Sequence, residues 1–180
     1  FVTYPDHFFL IFQYQQGATV YCKGVKIDAL GKKKSDLILL DSTRVGVLNN
    51  NRIYNIMNSE DKSKILVYKL NKRSGDLNMV TKRFDNNVVM LDSVRQNLEF
   101  NERREVYSDF QIADNGTIVF AKQVKSGNRE NINNLDLYIS KLNADNFDVL
   151  PINLDGKYID EVQINIDNIN KNFLVNSFYY

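Results

Sequence analysis

Tryptophan is absent from this 180-residue chain, and histidine and cysteine each occur once, as His7 and Cys22. One cysteine excludes an internal disulfide framework and any cysteine-based zinc cluster. Among Val20, Tyr21 and Val25, Cys22 reads as a small buried strand residue rather than a reactive thiol. One histidine rules out a multi-histidine metal centre and a Ser-His-Asp arrangement with a spare base. His7 itself follows Pro5 and Asp6 in a turn, which predicts a solvated side chain. Proline is scarce, with two residues, and no charge sign dominates: 23 Lys and Arg stand against 22 Asp and Glu. A nucleic-acid partner calls for a basic excess, and there is none. No apolar run approaches the roughly 18 residues of a membrane-spanning helix; the longest, "HFFLIF", suits a buried strand. There is no glycine-rich phosphate loop and no G-x-S-x-G elbow. The turns Asp114-Asn115-Gly116 and Asp155-Gly156 do not continue into a 12-residue calcium loop. No catalytic residue, metal ligand or cofactor is therefore assigned.

What the chain has instead is strand and turn. Short runs dense in Val, Ile, Leu, Tyr and Phe alternate with clusters of Gly, Asn, Asp and Ser, and helical periodicity is nearly absent. The runs repeat. "VKID" (25–28), "YKLN" (68–71) and "SKLN" (140–143) share Lys, then Leu or Ile, then Asn or Asp, and each is followed by a turn and another strand. Preceding hairpins also match: "YPDHFFLIFQY" aligns with "IADNGTIVFAK", pairing Asp6 with Asp114, and "VGVLNNNRIYNIM" holds the same place in the second unit. "VQINIDNINKNFLVNSFYY" begins a fourth unit, with Gln163 and Ile164 matching Gln111 and Ile112. The reading is four-stranded antiparallel units at 1–42, 43–85 and 106–156, with a partial unit at 157–180. Four strands every 40–50 residues is the period of propeller blades. The expected fold class is all-β, a β-propeller of about three and a half four-stranded antiparallel blades, with the three Lys-Leu/Ile-Asn/Asp tripeptides at equivalent third-strand positions. Three and a half blades do not close a ring. With Phe1 at one end and the apolar "FLVNSFYY" at the other, the expectation is an open arc of a processed or longer protein, its last edge covered by further chain or a partner.

The third unit, "FQIADNGTIVFAK…NNLDLYISKLN", resembles a repeat of the WD40-like, TolB-type β-propellers. Their blades carry a Pro-Asp-Gly turn before an apolar strand and then Asp-Leu-Tyr. Here Asp114, Asn115 and Gly116 match the turn, and Asp136, Leu137 and Tyr138 complete the pattern. The first unit keeps Pro5 and Asp6 but has His7 where glycine is usual, and the second keeps neither element. The Asn- and Lys-rich units and "NFLVNSFYY" are also similar to propeller proteins of bacterial cell envelopes. The Trp-Asp and Gly-His signatures of true WD40 repeats are missing. The resemblance implies a non-enzymatic, protein- or ligand-binding scaffold, extracytoplasmic (periplasmic or outer-membrane associated), within a larger envelope assembly.

One segment interrupts the count. "NNVVMLDSVRQNLEFNERRE", 86–105, reads as an insertion between the second and third units, either a short helix capped by Ser93 or an extended excursion. Insertions between repeats often carry contacts, and a bare apolar segment costs stability in water. The expected protein-binding residues are Val88, Val89, Met90, Leu91, Val94, Leu98 and Phe100. Lys32, Lys33 and Lys34 lie at a hairpin tip and read as hydrated. Asp109, Asp160 and Glu161 would be the inner-strand acids if the propeller hydrolysed glycosides, but they read more simply as polar strand-start residues. Two alternatives stand beside the protein-binding scaffold: the propeller domain of a larger peptidase, which a downstream G-x-S-x-G would reveal, and a glycan-binding or glycan-hydrolysing propeller, which needs aromatic and acidic residues converging at a channel mouth.

Overall fold

Fourteen strands and no helix make up the described residues of the computed structural model, which are 1–45, 52–73, 75–126 and 131–179. The first sheet is a meander of β1 (Val2–Thr3), β2 (His7–Gln16), β3 (Thr19–Asp28) and β4 (Ile38–Arg44). A second meander follows: β5 (Tyr54–Asn58), β6 (Lys64–Arg73), β7 (Asp76–Asp85) and β8 (Met90–Glu99). The third runs through β9 (Glu105–Ile112), β10 (Ile118–Lys125), β11 (Ile132–Ser140) and β12 (Asp148–Ile152). A hairpin of β13 (Ile159–Asp167) and β14 (Asn172–Tyr179) joins it through the single pair Ile132↔Ile159, so this sheet curls over itself. All pairings between these strands are antiparallel. The chain is all-β, as expected.

Three apolar clusters show how the sheets meet. Phe9, Val20, Cys22 and Leu40 of the first sheet pack with Ile65, Val67 and Phe84 of the second. Leu66, Leu77, Met79 and Val94 of the second pack with Phe110, Ile118, Phe120 and Tyr138 of the third. Val119, Ala121, Leu135 and Leu137 then pack with Ile159, Val162 and Ile164 of the terminal hairpin. Successive side chains on a strand point to opposite faces, so β6 gives Ile65 and Val67 to one seam and Leu66 to the other. A strand buried on both faces must be apolar without alternation, which explains the run "ILV" in β6 and "IVFA" in β10. Across the second seam Tyr68, Phe110, Phe120 and Tyr138 stack in a column, with ring centroids 4.1, 4.4 and 5.0 Å apart.

One turn recurs between the first and second strands of each meander. The backbone N–H groups of Tyr4, Ser59 and Ala113 donate to the carbonyls of His7, Lys64 and Thr117 at 2.8, 2.9 and 2.8 Å. From these anchors "HFFL" (7–10), "KILV" (64–67) and "TIVF" (117–120) occupy corresponding places. "NFLV" (172–175) takes the same place on β14, where Phe173 and Val175 pack on the third cluster. In the third unit Gly116 has a φ of +86° and sits 3.4 Å from Leu142 at the position of an added Cβ, so both the turn and the close approach favour glycine.

The second unit is phased differently from the sequence reading of 43–85. Its first strand is β5 and its fourth is β8, so 90–99 is neither an insertion nor a helix but a ten-residue strand paired to β7 from Asp76↔Glu99 to Phe84↔Met90. The Lys-Leu/Ile-Asn/Asp tripeptides are accordingly not equivalent. Lys26–Asp28 ends the third strand of its sheet, Lys69–Asn71 lies in the second strand, and Lys141–Asn143 follows β11. By pairing register, Phe8↔Ile27 corresponds to Ile65↔Phe84, so Lys26-Ile27-Asp28 corresponds to Arg83-Phe84-Asp85. Both aspartates serve the same end: Asp28 Oδ1 accepts from the N–H groups of Leu30 and Lys32, and Asp85 Oδ1 from those of Asn87 and Val89.

Candidate protein-docking site

The residues singled out in 88–100 divide by face. Val88 closes the turn after β7 and is buried in the first seam, while Val94 and Phe100 are buried in the second and Leu98 packs against it. These four are core, not surface. Val89, Met90 and Leu91 remain outside, with 58, 55 and 37% of their surface exposed. Their position follows from the register: Met90 pairs with Phe84 across a bulge, at the start of an edge strand whose outer side has no neighbour in its sheet. There the first and second sheets part, leaving a cleft of about 320 Å³ lined by Leu39, Leu40, Asp41, Ser42, Lys82, Phe84, Val88 and Met90. Leu39 is itself 54% exposed. Leu39 and the polar lining were missed by sequence reasoning, because "DLILLDS" gave no sign of which leucine would be covered.

Asp41 and Lys82 of the cleft belong to a charged network that continues behind it. Lys69 Nζ donates to Asp41 Oδ2 at 2.5 Å and to Thr43 Oγ1 at 2.5 Å, and Lys82 Nζ approaches Asp41 Oδ1 at 2.9 Å. The Tyr54 hydroxyl and Thr43 Oγ1 are 2.7 Å apart, and Lys69 lies over the Tyr54 ring. Burial pushes the Asp41 carboxyl up, but the hydrogen bonds and charges of Lys69 and Lys82 outweigh it and hold the group below its usual value. Cys22, beside this network, is fully buried and its thiol is pushed up to about 12, chiefly by loss of water. It is the structural cysteine the sequence suggested.

Other sequence candidates lie apart. His7 is not solvated: its side chain is 13% exposed, stacked on Tyr4 at 4.7 Å with Nδ1 2.6 Å from Asp6. The Lys32–Lys34 tip is exposed, with Lys34 3.3 Å from Asp28 and Lys33 3.6 Å from Asp36. Asp109 accepts from the Ile164 N–H, and Asp160 accepts from Asn131 Nδ2 at 3.0 Å, so both tie backbone or side chains between elements. Asp61 and Asp114 meet where two turns touch, the Asp61 N–H donating to Asp114 Oδ1 at 3.1 Å. Among the described residues no group of three or more His, Cys, Asp or Glu is arranged to hold a metal ion. No helix among them is long and apolar enough to cross a membrane. Comparison with family profiles, with curated proteins and with solved structures finds no match.

Proposed function

We propose that the chain is part of a β-propeller whose blades are the four-stranded meanders, and that it is a non-enzymatic scaffold docking a protein partner within an extracytoplasmic envelope assembly. One observation carries the reading. Successive meanders share the same first turn and stack face to face, the second and third each burying one apolar face on the preceding sheet and the other on the strands that follow. Stacked repeats of this kind hold their edges rigidly, and a rigid edge bearing exposed apolar residues is a docking surface. The docking residues are Val89, Met90 and Leu91 with Leu39, at the rim of the first seam.

Deleting 88–100 would remove a core strand, so the test uses surface substitutions. A photoreactive side chain at position 90, with mass spectrometry, identifies the partner captured in the native cell envelope. Met90→Asp with Leu91→Asp is expected to lower affinity for that purified partner at least about tenfold with an unchanged melting temperature. Unaltered affinity would remove the rim from the interface. The propeller itself is tested by an experimental structure, in which the rotations carrying the first sheet to the second and the second to the third must share one axis.

A further inference from the structure

The outer edges of the three meanders are not alike. β4 is seven residues long, and its ladder to β3 slips between Cys22 and Lys23. β12 is five residues long and carries Pro151, which has no N–H to offer a further strand. Shortness, bulges and proline are common ways of closing an edge to other chains. β8 is ten residues long with no proline and no lysine, and its ladder to β7 is unbroken from Asp76↔Glu99 to Arg83↔Asp92. One backbone bond fixes which of its groups point outward. The Phe100 N–H donates to the Gly75 carbonyl at 2.9 Å, in register with that ladder. Antiparallel bonds alternate, so Leu98, Gln96 and Val94 bond to β7, while Glu99, Asn97, Arg95 and Ser93 turn their N–H and C=O groups to the open side. Those four side chains are exposed and share one face. Glu99 lies directly opposite Asp76, where like charges repel, and Arg95 lies opposite Val80. Among the described residues no cation pairs with Asp76 or Glu99, and no carboxylate with Arg95. Beyond Ser93 lie the exposed Leu91 and Met90. From Glu99 back to Met90 the open edge thus presents an acid, a base and an apolar end.

We infer that an extended peptide segment of the partner adds to β8 as a fifth, antiparallel strand. Its chemistry follows from the register of the edge. Lys or Arg stands opposite Glu99, Asp or Glu four residues later opposite Arg95, and apolar residues follow toward Leu91 and Met90. Main-chain bonds hold such a strand, and its alternate side chains select it. The strand addition rests on the docking role of the Met90 rim and names the class of partner that fills it.

The probe is a synthetic peptide with blocked ends, Lys-Thr-Val-Thr-Glu-Thr-Val-Thr-Leu, titrated to about 1 mM into the purified protein and followed by NMR. Saturable binding is expected, with the amide shifts of Ser93, Arg95, Asn97 and Glu99 moving most. Exchanging the Lys and Glu of the peptide should weaken binding at least about threefold. Arg95→Glu should weaken the original peptide about as much, and Lys in place of the peptide's Glu should restore it. N-methylation of the third, fifth and seventh peptide residues, whose N–H groups face β8, should abolish binding; N-methylation of the fourth and sixth should not. No saturation, indifference to which amides are methylated, or charge exchange without rescue would each overturn the inference. So would a dimer of the protein alone, by sedimentation velocity, that Arg95→Glu abolishes, since the edge would then belong to a second copy. The partner captured at position 90 separates the two readings. Affinity lost in Met90→Asp with Leu91→Asp but kept in Arg95→Glu would leave the docking rim standing and overturn the strand addition. Peptide binding as expected, with a partner indifferent to the rim variant, would support the strand addition and remove the docking role of the rim.

Discussion

Replacing Arg83 with methionine is expected to destabilise the protein by about 3–5 kcal/mol, the cost of removing one partner of a buried ion pair. The Arg83 side chain is 1% exposed and bridges the second and third sheets. Its Nε and Nη2 donate to the two oxygens of Asp92, both at 2.6 Å. Nη1 donates across the seam to the carbonyls of Gly116 at 2.9 Å and Ser140 at 3.0 Å. Methionine fills much of the volume but returns none of these bonds, leaving two carbonyls and a largely buried carboxylate short of donors. Among the described residues, Asp92 keeps the N–H of Asn143, at 2.7 Å. For a chain of this size each kcal/mol moves the melting temperature by about 2–4 °C, so a fall of roughly 6–20 °C is expected. Urea unfolding read by circular dichroism and by tyrosine fluorescence gives the free energy. Arg83→Met with Asp92→Leu should recover much of the loss, because the stranded charge is then gone. A single variant that costs under about 1 kcal/mol, or a double variant no better than the single, would refute the bridging role.

The remaining expectations concern other parts of the same stack. Asp41 has a folded pKa below its unfolded value of about 3.9; its stabilisation is present above that value and lost as the pH falls through the folded one. The urea midpoint should therefore drop below about pH 4, and Asp41→Asn should flatten that part of the profile while lowering stability at pH 7. Cys22, buried and with its thiol pushed up to about 12, should resist a disulfide exchange reagent in the native protein and react at once in urea; rapid native labelling would contradict the burial. Gly116→Ala should cost about 1 kcal/mol or more for its positive φ, and more than Gly17→Ala, whose φ is +57° but whose Cβ meets nothing within 4 Å. Equal costs would mean that Leu142 simply moves aside.

The sequence made the strands and most turns legible because these depend on local chemistry. "ADNGT" has the glycine its φ demands, "HFFLIF" is too apolar for anything but a strand, and "TIVFA" is apolar enough for a strand covered on both sides. β8 was harder for a physical reason. Val94 and Leu98 are four residues apart, and four is both about one helical turn and two strand repeats, so this spacing alone does not separate the two. Phe100, two residues further on the same face, fits only the strand. The polar residues between are what an edge strand with one covered face should have. The Lys-Leu-Asn recurrence misled because such triplets suit any strand end, whereas the turn that fixes the phase of the second unit, "SEDKS", shares no glycine or proline with its counterparts. Within the candidate site, exposure of Val89 and burial of Val88 differ by one pleat of the chain, which composition does not resolve.

Arg83 and Lys69 were the least legible residues, and they say most about how the stack is held. In "VTKRFD" and "VYKLN" each looks like a solvent-facing cation, yet both are buried at seams. Apolar contact alone would let two flat sheets slide, since one leucine row fits another at several offsets. A guanidinium committed to two carboxylate oxygens and two carbonyls has one satisfactory position. Lys69, held by Asp41 and Thr43 across the first seam, is fixed in the same way, and Gln13 adds bonds to the backbone of Ile53 and Tyr54. The clusters bring the sheets together, and the buried polar ties set where they stop. That fixed register is what keeps Leu39 and Met90 at the rim of the same cleft, and it is why the arginine substitution tests the architecture more sharply than any change in the apolar core.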